Sequence, residues 1–421
     1  MTRWFANIAH FFERLQWWRV PEREEGRVWP GKLPHPEKAY VKALLIKINE
    51  KFEYMTELRD FLVKHPLLVL MMGFRPEWDK SQPYGFAVEK TVPTARWLRH
   101  KQQQIDNEML QSLLQGTVKE LQAEIPKMAE TVALDTKHIY AWVRENNLRD
   151  TVANRYDPEK QPRGDRDCKL GVKRRHNQES VTGEAKEEKE YLWGYGTGVV
   201  TATDPLYGDV VLAEYTLPFN EADITYYPPL FERMTQNLGF VPKNFTADAA
   251  FDAWYVYQPF AERSGMVAIP LNLRGFPEPK LGPNGFHLCP HGSEMMPSYV
   301  YYDNHRRHHV QILRCPLLHP HPTGKSCHHA QFVKGIGCEK RINHELGGRL
   351  RVTLNRHSDE YKAVYKQRTS AERINSQAKA LGIERPKLRN VESVRNLNTL
   401  IYIVINVHAL QRVKQVNQRL C

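Results

Sequence analysis

One segment near the C-terminus combines an apolar face with a stripe of charged and phenolic side chains. The stripe consists of Tyr365, Arg368, Glu372 and Lys379. At about 100° per residue these four fall within roughly a 60° arc of one helix. A second, apolar face lies roughly 120° away; it is formed by Val364, Ala371, Ile374, Ala378 and Leu381. The pattern predicts a single amphipathic helix that packs one face against a core.

The stripe has two interpretations. A carboxylate flanked by two cations and a phenol suits a metal ion beside a phosphodiester. Alternatively, the stripe is a solvated helix face in which Arg368 and Glu372 form an ordinary i,i+4 pair, worth about 0.2–0.5 kcal/mol. The rest of the sequence favours the first interpretation.

The composition indicates a basic, globular protein of several domains. Hydrophobic residues make up 41% of the 421 residues, the net charge is +12 and the pI is near 9.3. That charge favours a polyanionic partner, although ribosome-associated and membrane-surface proteins share it. The longest apolar run, near 67–72, is too short to cross a membrane, and the N-terminus predicts an amphipathic helix rather than a signal peptide. We therefore expect a cytoplasmic protein.

Periodicity divides the chain into five predicted segments. The second is helical, and Thr94 after Pro93 is expected to cap a helix whose apolar side runs from Trp97 to Leu121. The basic residues of that helix form either a nucleic-acid surface or an ordinary solvated face. The five segments are an N-terminal arm (1–36), a helical domain (37–128), the first part of a catalytic core (129–270), a Cys- and His-containing insertion (271–360) and the C-terminal helices of the core (361–421).

Two aspartates each follow a short predicted strand. Asp135 follows 131–134, and Asp248 follows 244–247. The order of strands and helices around them is typical of an α/β fold. The remaining predicted elements are a long charged loop (144–190), a β-hairpin (199–203 with 209–216), helices at 230–238 and 251–263, a strand at 266–270 and a last helix at 391–416 with one apolar stripe.

Carboxylates at strand ends and on an adjacent helix can converge on divalent metal ions. Two metals about 4 Å apart activate an oxygen nucleophile and stabilise the leaving 3′-oxygen of a phosphodiester. Mg²⁺ prefers oxygen ligands and retains waters, so two or three carboxylates are enough. Either aspartate alone is more often a cap or a surface residue. Together with Glu372, however, Asp135 and Asp248 predict a metal site.

The other members of the stripe are suited to phosphate. Lys379 lies two turns after Glu372, and Arg368 lies one turn before it. A guanidinium fork matches phosphate oxygens. Tyr365 is suited to donate a hydrogen bond to a phosphate or to stack on a base.

At this point the sequence resembles a known family. The run Tyr365-x2-Arg368-x3-Glu372-x6-Lys379 matches the YREK signature of DDE transposases from bacterial insertion sequences. The text around Asp135 ("VALDTKHIYAW") and around Asp248 ("NFTADAAFDAWY") is similar to that family in the same order. The resemblance covers about 37–410.

The resemblance implies a fold and an activity. It implies a ribonuclease-H-like mixed sheet flanked by helices, an N-terminal helical DNA-binding domain, and an insertion before the last catalytic helix. It implies two Mg²⁺ ions, with Mn²⁺ able to substitute, held by Asp135, Asp248 and Glu372, and terminal phosphates contacted by Tyr365, Arg368 and Lys379. The implied reaction is cut-and-paste transposition by a homodimer on double-stranded transposon ends and target DNA, in a nucleoid-associated bacterial protein.

The chain departs from the family pattern in two places. Many relatives have Gly-Tyr after the second aspartate, where this chain has Ala249-Ala250-Phe251. Relatives that form a hairpin intermediate can use a Trp in the insertion to hold a flipped base, and 271–360 contains no Trp. The resemblance therefore implies strand cleavage more firmly than a hairpin step.

Four cysteines in the insertion offer a structural zinc site. Zinc commonly takes four thiolate or imidazole ligands, but these spacings are long and include no C-x2-C pair. The alternative is buried or free thiols. The four are Cys289, Cys315, Cys327 and Cys338; with Cys168 and Cys421 they are expected to be reduced.

Two other functions fit the same residues. A domesticated relative would bind DNA without cutting it, but the carboxylates and the signature are all present. A metal-dependent endonuclease would cut without joining, but the separate helical domain is needed mainly for recognising transposon ends.

Overall fold

The computed structural model of the protein describes residues 3–22, 31, 33–179, 185–273, 275 and 277–420. Cys421 and parts of the predicted arm (1–2, 23–30 and 32) lie outside the described residues. The chain packs into two compact units. The first comprises the described residues of Met1–Ala129, Ala133–Phe240 and Thr369–Cys421, and the second comprises Glu130–Val132 and Val241–Arg368.

Helices outnumber strands in the first unit and also form several segments of the second. In chain order the α-helices are α1 (Arg3–Glu13), α2 (Glu37–Asn49), α3 (Met55–Lys64), α4 (Pro66–Met72), α5 (Val88–Thr91), α6 (Ala95–Gln104), α7 (Asn107–Glu124), α8 (Tyr227–Leu238), α9 (Trp254–Ala261), α10 (Ala330–Val333), α11 (Leu346–Thr353), α12 (Asp359–Lys366), α13 (Thr369–Ala380) and α14 (Val391–Leu420).

The strands form both antiparallel and parallel pairs. They are β1 (Thr131–Tyr140), β2 (Lys169–Glu179), β3 (Ala185–Asp204), β4 (Gly208–Pro218), β5 (Asn244–Thr246), β6 (Val267–Ala268), β7 (Met296–Asp303), β8 (His308–Arg314) and β9 (Glu339–Asn343). The expected α/β class with strands of both orientations is confirmed.

A long strand organises the sheet of the first unit. The first half of β3 pairs with β2 and the second half with β4, both antiparallel, while β1 lies on the other side of β3. The predicted hairpin is confirmed: Asp204 pairs with Gly208, whose φ of +83° suits the turn. The predicted loop over 144–190 is wrong, because β2 and the start of β3 lie in it. A two-stranded ribbon needs no buried face, so its sequence lacks the apolar alternation that marks a strand.

A β-bulge interrupts the β3–β4 ladder at Leu212. Val200 pairs with Ala213, but Thr201 pairs with Val211, so Leu212 is the extra residue. Side chains from two helices bind the backbone released there. Asn406 of α14 receives a hydrogen bond from Val211 N at 2.8 Å and donates to Val211 O at 2.8 Å, and Asn237 of α8 donates to Leu212 O at 2.7 Å.

The last helix lies at the centre of the first unit. Most of α14 from Ser393 to Val413 is buried, including Asn396, Asn398, Thr399 and Asn406, which are 0% exposed. The sequence predicted a helix with one apolar stripe, and the helix itself is confirmed. Its packing is different, because neighbouring elements cover it on nearly every side.

The N-terminal helices pack on α14. The predicted cap at Thr94 is confirmed, since its hydroxyl accepts from Trp97 N at 3.2 Å. The single helix expected from Trp97 to Leu121 is wrong. It is divided into α6 and α7, because Asp106 caps the second helix by accepting from Glu108 N at 3.1 Å.

A fully buried carboxylate joins α7, β4 and α14. Glu214 of β4 is 0% exposed and accepts hydrogen bonds from the Thr399 hydroxyl at 2.6 Å and from the Gln111 amide. Asn107 of α7 donates to Thr399 and to Asn396 at 3.0 and 2.9 Å. Buried polar groups of this kind hold a fixed register only when each finds a partner.

The second unit contains a parallel pair and a separate antiparallel sheet. β5 pairs with β6, while β7, β8 and β9 form a three-stranded sheet. α11 approaches α9 at Gly347, where a Cβ would lie 2.3 Å from the carbonyl oxygen of Trp254. Arg351 fixes this packing by a bidentate pair with the buried carboxylate of Asp252, at 2.9 and 2.6 Å.

Within the part of the chain that the structure describes, no helix combines the length and apolarity needed to cross a membrane.

Glu214 makes stability depend on pH. Burial raises the pKa of its carboxyl above the ordinary value of 4.5, and the hydrogen bond from Thr399 opposes that rise. A group with a raised folded pKa holds its proton longer in the folded state, so its contribution to the free energy of unfolding falls as pH rises above 4.5. The free energy of unfolding in urea should be measured for wild type and for Glu214→Gln. The wild-type value minus the variant value should be larger at pH 5 than at pH 8. A difference that stays constant with pH would refute this role for Glu214.

Candidate active site

The first predicted carboxylate lies within a strand rather than after one. β1 continues through Asp135 to Tyr140, so the expected end at Leu134 is wrong. Residues 131–134 are buried and 135–138 are half-buried. The strand continues because pairing with β3 does not require an apolar side chain at each position. Asp135 accepts a hydrogen bond from the Asn375 amide at 2.9 Å.

The predicted single helix over 364–381 is divided in two. α12 ends at Lys366 and α13 begins at Thr369. Gln367 N and Arg368 N bond to carbonyls three residues earlier, at 3.0 Å each, which tightens the last turn and ends the helix. Thr369 and Ser370 follow, residue types that favour helix starts. Tyr365, Arg368, Glu372 and Lys379 therefore do not lie on one continuous helix, and the prediction that they share a single helix face is wrong.

Glu372 and Lys379 do share α13. They lie seven residues apart, about two turns, and both are exposed. Asn375 lies between them at i+3 from Glu372, while Ala371, Ile374 and Ala378 are 0% exposed. Since Asn375 binds Asp135, the side of α13 that follows Glu372 by one turn faces β1. The sequence missed Asn375, although its i+3 spacing from Glu372 was visible.

Asn375 has a second feature relevant to a ligand. It is 8% exposed, and its Oδ1 makes no hydrogen bond within the described residues. Its amide nitrogen must point to Asp135, because an ionised carboxylate only accepts. The uncharged oxygen acceptor is therefore buried, unsatisfied and next to a carboxylate, and such a group calls for an explanation such as a water or a cation.

An ion pair fixes α13 on the β3–β4 hairpin. Arg373 donates from Nε and Nη2 to the two oxygens of the buried Asp209, at 2.7 and 2.6 Å. It also donates to Thr369 at 2.8 Å and to Thr203 at 3.3 Å. On the buried side, the hydroxyls of Ser370 and Thr201 lie 2.8 Å apart. These contacts set the position of Glu372, which precedes Arg373.

The predicted strand before Asp248 is confirmed, because β5 ends two residues earlier at Thr246. In the second unit Asp248 caps a short 3-10 turn by accepting from Ala250 N at 2.9 Å. Burial raises the pKa of its carboxyl, and the Ala250 hydrogen bond and the Arg368 charge oppose that rise. Arg368 therefore acts electrostatically on Asp248 within this unit.

Two lysines share one acidic partner in the first unit. Lys379 Nζ lies 3.1 Å from Glu384 and Lys137 Nζ lies 3.4 Å from the same oxygen. Lys137 lies two residues after Asp135, so both side chains project from the same face of β1. Burial of Glu384 raises its pKa, but the lysines outweigh this and lower it overall. The sequence analysis missed Lys137 and Glu384.

The Tyr365 side chain packs against other residues of the second unit. Its ring stacks on Tyr361 with centroids 5.8 Å apart and planes 11° apart, against a cluster of Ala268, Tyr361 and Val364. The Arg368 guanidinium lies 5.8 Å from the Tyr365 ring. These two residues therefore form a cation–π pair at the end of α12.

The donor set fits a hard cation better than zinc. Among the described residues, no group of three His, Cys, Asp or Glu side chains could hold a metal ion. Mg²⁺ does not need such a group, since one or two carboxylates with phosphate oxygens and waters suffice. Asp135, with the unsatisfied oxygen of Asn375 beside it, supplies oxygen donors of the required kind.

Of the two alternatives for the four cysteines, zinc gains no support, because the described residues contain no group of three His, Cys, Asp or Glu side chains that could hold a metal ion. Cys289 and Cys338 instead belong to an apolar cluster with Met295 and Leu313. Burial, together with the neighbouring thiol of Cys315, raises the pKa of Cys338 to about 12, so the thiol keeps its proton. The five cysteines within the described residues are free thiols, as expected: Cys168, Cys289, Cys315, Cys327 and Cys338.

The comparison with protein families identifies the class. The family described as transposase DDE domain matches residues 171–407, more than half of the chain. The chain therefore belongs to the DDE transposase family. Asp248 and Glu372 lie inside the matched region, whereas Asp135 lies before it.

Comparison with individual proteins adds little. The chain is similar to a solved structure described as a piggyBac transposase synaptic complex with hairpin DNA, at 10% sequence identity and a TM-score of 0.33. The similarity covers 98% of this chain and 78% of that one. At this TM-score it supports no conclusion about this chain. No curated protein matches the sequence.

The Asp209–Arg373 pair should govern the docking of α13. Asp209→Asn removes one charge from a bidentate pair, so we expect the free energy of unfolding to fall by about 1–2 kcal/mol, at the low end for charged hydrogen bonds because Arg373 is half exposed. Amide hydrogen exchange in α13 should accelerate more than in α14. The matched control is Glu392→Gln, which removes an exposed i,i+3 pair on α14 and should cost at most about 0.5 kcal/mol. If amide hydrogen exchange in α13 is the same in Asp209→Asn as in wild type, the Asp209–Arg373 pair does not hold α13 in place.

Proposed function

We propose that the protein is a DNA transposase that binds terminal inverted repeats and catalyses metal-dependent strand cleavage and strand transfer. The observation that carries the proposal is the hydrogen bond from Asn375 to Asp135. It brings a strand carboxylate to the helix that carries Glu372, in a chain of the DDE transposase family. Cut-and-paste transposition follows as the proposed reaction.

We further propose the YREK type from bacterial insertion sequences, with a ribonuclease-H-like core. The antiparallel β3–β4 pair, with β1 beside β3, supports this core. We propose the same domain organisation as the sequence predicts: an arm, a helical DNA-binding domain, a core in two parts and an insertion between those parts. We place the protein in the bacterial cytoplasm, on the nucleoid.

Asp135, Asp248 and Glu372 are the proposed ligands of two Mg²⁺ ions, for which Mn²⁺ can substitute. When bound, such ions lower the pKa of an attacking water or hydroxyl and stabilise the leaving 3′-oxygen. Asn375 positions Asp135 by its hydrogen bond, and Arg373 positions α13. A cation beside Asp248 would lower its raised pKa, because the opposite charge favours the carboxylate.

Lys379, with Arg368 and Tyr365, is proposed to contact terminal phosphates. Lys379 is held by Glu384 in the structure, and Lys137 shares that partner. A phosphate would offer both ammonium groups a stronger acceptor than one shared carboxylate. Lys137 therefore joins the proposed phosphate contacts.

The charge of the chain supports duplex DNA as partner. With a net charge of +12, binding should weaken as salt rises, since each phosphate contact releases counterions. Transposition joins two ends, so we propose a homodimer on DNA. Binding without cleavage, or cleavage without joining, are the outcomes that would favour a domesticated relative or an endonuclease.

The first test is cleavage of a labelled duplex that carries the flanking inverted repeat, with Mg²⁺. Wild type should cut at the repeat boundary, and Glu372→Gln should lose at least about 1,000-fold in rate while binding the duplex as before, because the carboxylate is lost but the helix is retained. Specific binding with no cleavage by wild type would replace the transposase with a binder. Cleavage by Glu372→Gln at the wild-type rate would remove Glu372 from the site.

A second test isolates Asn375. Asn375→Ala leaves Asp135 without its donor and removes the unsatisfied oxygen, so Mn²⁺ affinity should fall roughly 10- to 100-fold, as for other partners of metal ligands. Electron paramagnetic resonance of Mn²⁺ titrated into the protein with duplex DNA measures this without turnover. Gln377→Ala, exposed on the same helix, is the control and should bind as wild type does. Equal affinity for wild type and Asn375→Ala would show that Asn375 does not support the metal site.

A further inference from the structure

A cleft in the first unit is not used by the carboxylates. It has a volume of about 980 Å³ and lies between the end of β1, the segment after it, the middle of β3 and the segment that precedes α14. Its volume is at the upper end of the range for small-ligand sites. Three of its rings are about half exposed: Trp142 (44%), Tyr156 (41%) and Tyr191 (43%).

The rings are arranged as stacking surfaces. The ring centroids of Tyr156 and Tyr191 lie 5.7 Å apart, and the two ring planes are inclined by 34°. The Arg389 guanidinium lies 4.9 Å from the Trp142 ring, and Arg385 lies 4.2 Å from the Tyr140 ring. Each of these guanidinium groups covers an aromatic face and keeps N–H donors that suit phosphate oxygens.

The lining is also positively charged. The residues that line the cleft include five cations and two carboxylates, Asp150 and Glu190. Glu190 accepts a hydrogen bond from the Tyr140 hydroxyl at 2.6 Å. An anionic ligand is therefore favoured over a neutral one. The cations are Arg144, Arg149, Lys189, Arg385 and Lys387.

The wall of the cleft is fixed before any ligand binds. Asn146 donates to the carbonyls of Ala141 and Trp193 at 2.8 and 2.7 Å and accepts from Trp193 N at 2.9 Å. Arg155 donates to the carbonyl of Asn147 at 2.9 Å and to that of Asp150. Preorganisation of this kind reduces the entropy lost on binding.

We propose that this cleft binds a DNA strand with at least one unpaired base, with Trp142 or the Tyr156–Tyr191 pair stacking on the base. Stacked bases inside a duplex present no free face to a ring, whereas unpaired bases do, and aromatic rings with cations are the usual platform for them. The cleft begins at Tyr140, five residues after Asp135 on β1, or about 17 Å at 3.3–3.4 Å per residue. That length equals about five steps of a DNA strand at 3.4 Å each.

The assignment rests on the proposed function only in naming DNA as the polymer. It gives this chain an aromatic site for an unpaired base outside the insertion, where Trp is lacking. A cleft that takes only duplex DNA would need no exposed ring faces.

The test compares binding of a fluorescein-labelled 12-nucleotide single strand and of its duplex by the full-length protein, using fluorescence anisotropy. Trp142→Ala should weaken single-strand binding roughly 5- to 100-fold, the range measured for one lost stacking contact, and change duplex binding by less than about 2-fold. A 2-aminopurine in the strand should be quenched by wild type and less so by Trp142→Ala. Trp18→Ala, 73% exposed, outside the lining of the cleft and outside the proposed DNA-binding domain, is the matched control and should bind both probes as wild type does.

Tyr191→Leu is the second variant, measured in the same way should Trp142→Ala unfold. Equal loss for strand and duplex, or no loss for either variant, would overturn the cleft assignment. The proposed function fails separately: a protein that quenches 2-aminopurine through Trp142 but never cuts the repeat retains the cleft and loses the transposase activity. Cutting at the repeat without selective strand binding retains the activity and removes the cleft.

Discussion

The buried polar contacts between α14 and β4 determine the architecture of the first unit. Glu214 and the bulge at Leu212 both present groups that cannot be left without partners in an apolar interior, and α7, α8 and α14 supply those partners. An apolar interface would tolerate sliding of one helix along the next, whereas this one is satisfied in a single register. The helical and strand-rich parts of the unit are thereby fixed together through the same side chains.

The position of α13 follows from that register. The hairpin that α14 holds presents Asp209 and Thr203 to Arg373, and Thr201 to Ser370. With the helix held at both sides, Asn375 reaches Asp135. The proposed catalytic role of Glu372 thus depends on residues that do not themselves touch a substrate. Asn375 and Arg373 share its helix, and Asp209 belongs to the hairpin.

The sequence predicted correctly those elements that depend on interactions between residues close together in the chain. The hairpin, the Thr94 cap, the strand before Asp248 and the last helix all follow from turn residues, capping chemistry or periodicity. The failures have non-local causes. β1 extends past Leu134 because β3 provides a pairing partner, and the ribbon of β2 and β3 has no core face to produce alternation. The partners that bury Asn396 and Asn406 are distant in sequence. The break before Thr369 did not follow from the apolar periodicity, which continues from Val364 to Leu381 on both sides of it. Of the candidate site, residue types were predictable from sequence, but not the supporting contacts of Asn375 and Lys137.

The bulge at Leu212 has a consequence for how this strand can change. Side chains alternate in direction along a strand, so a single residue inserted or deleted reverses every side chain on one side of the change. Leu212 is the exception, because it is the extra residue: without it, Val211 would still pair with Thr201 and Ala213 with Val200, so Asp209 would keep its direction towards Arg373. The contacts that depend on the bulge are those of Asn406 and Asn237 with the backbone of Val211 and Leu212. The strand can therefore lose a residue at 212 without reversing a face, and that loss would weaken its attachment to α8 and α14.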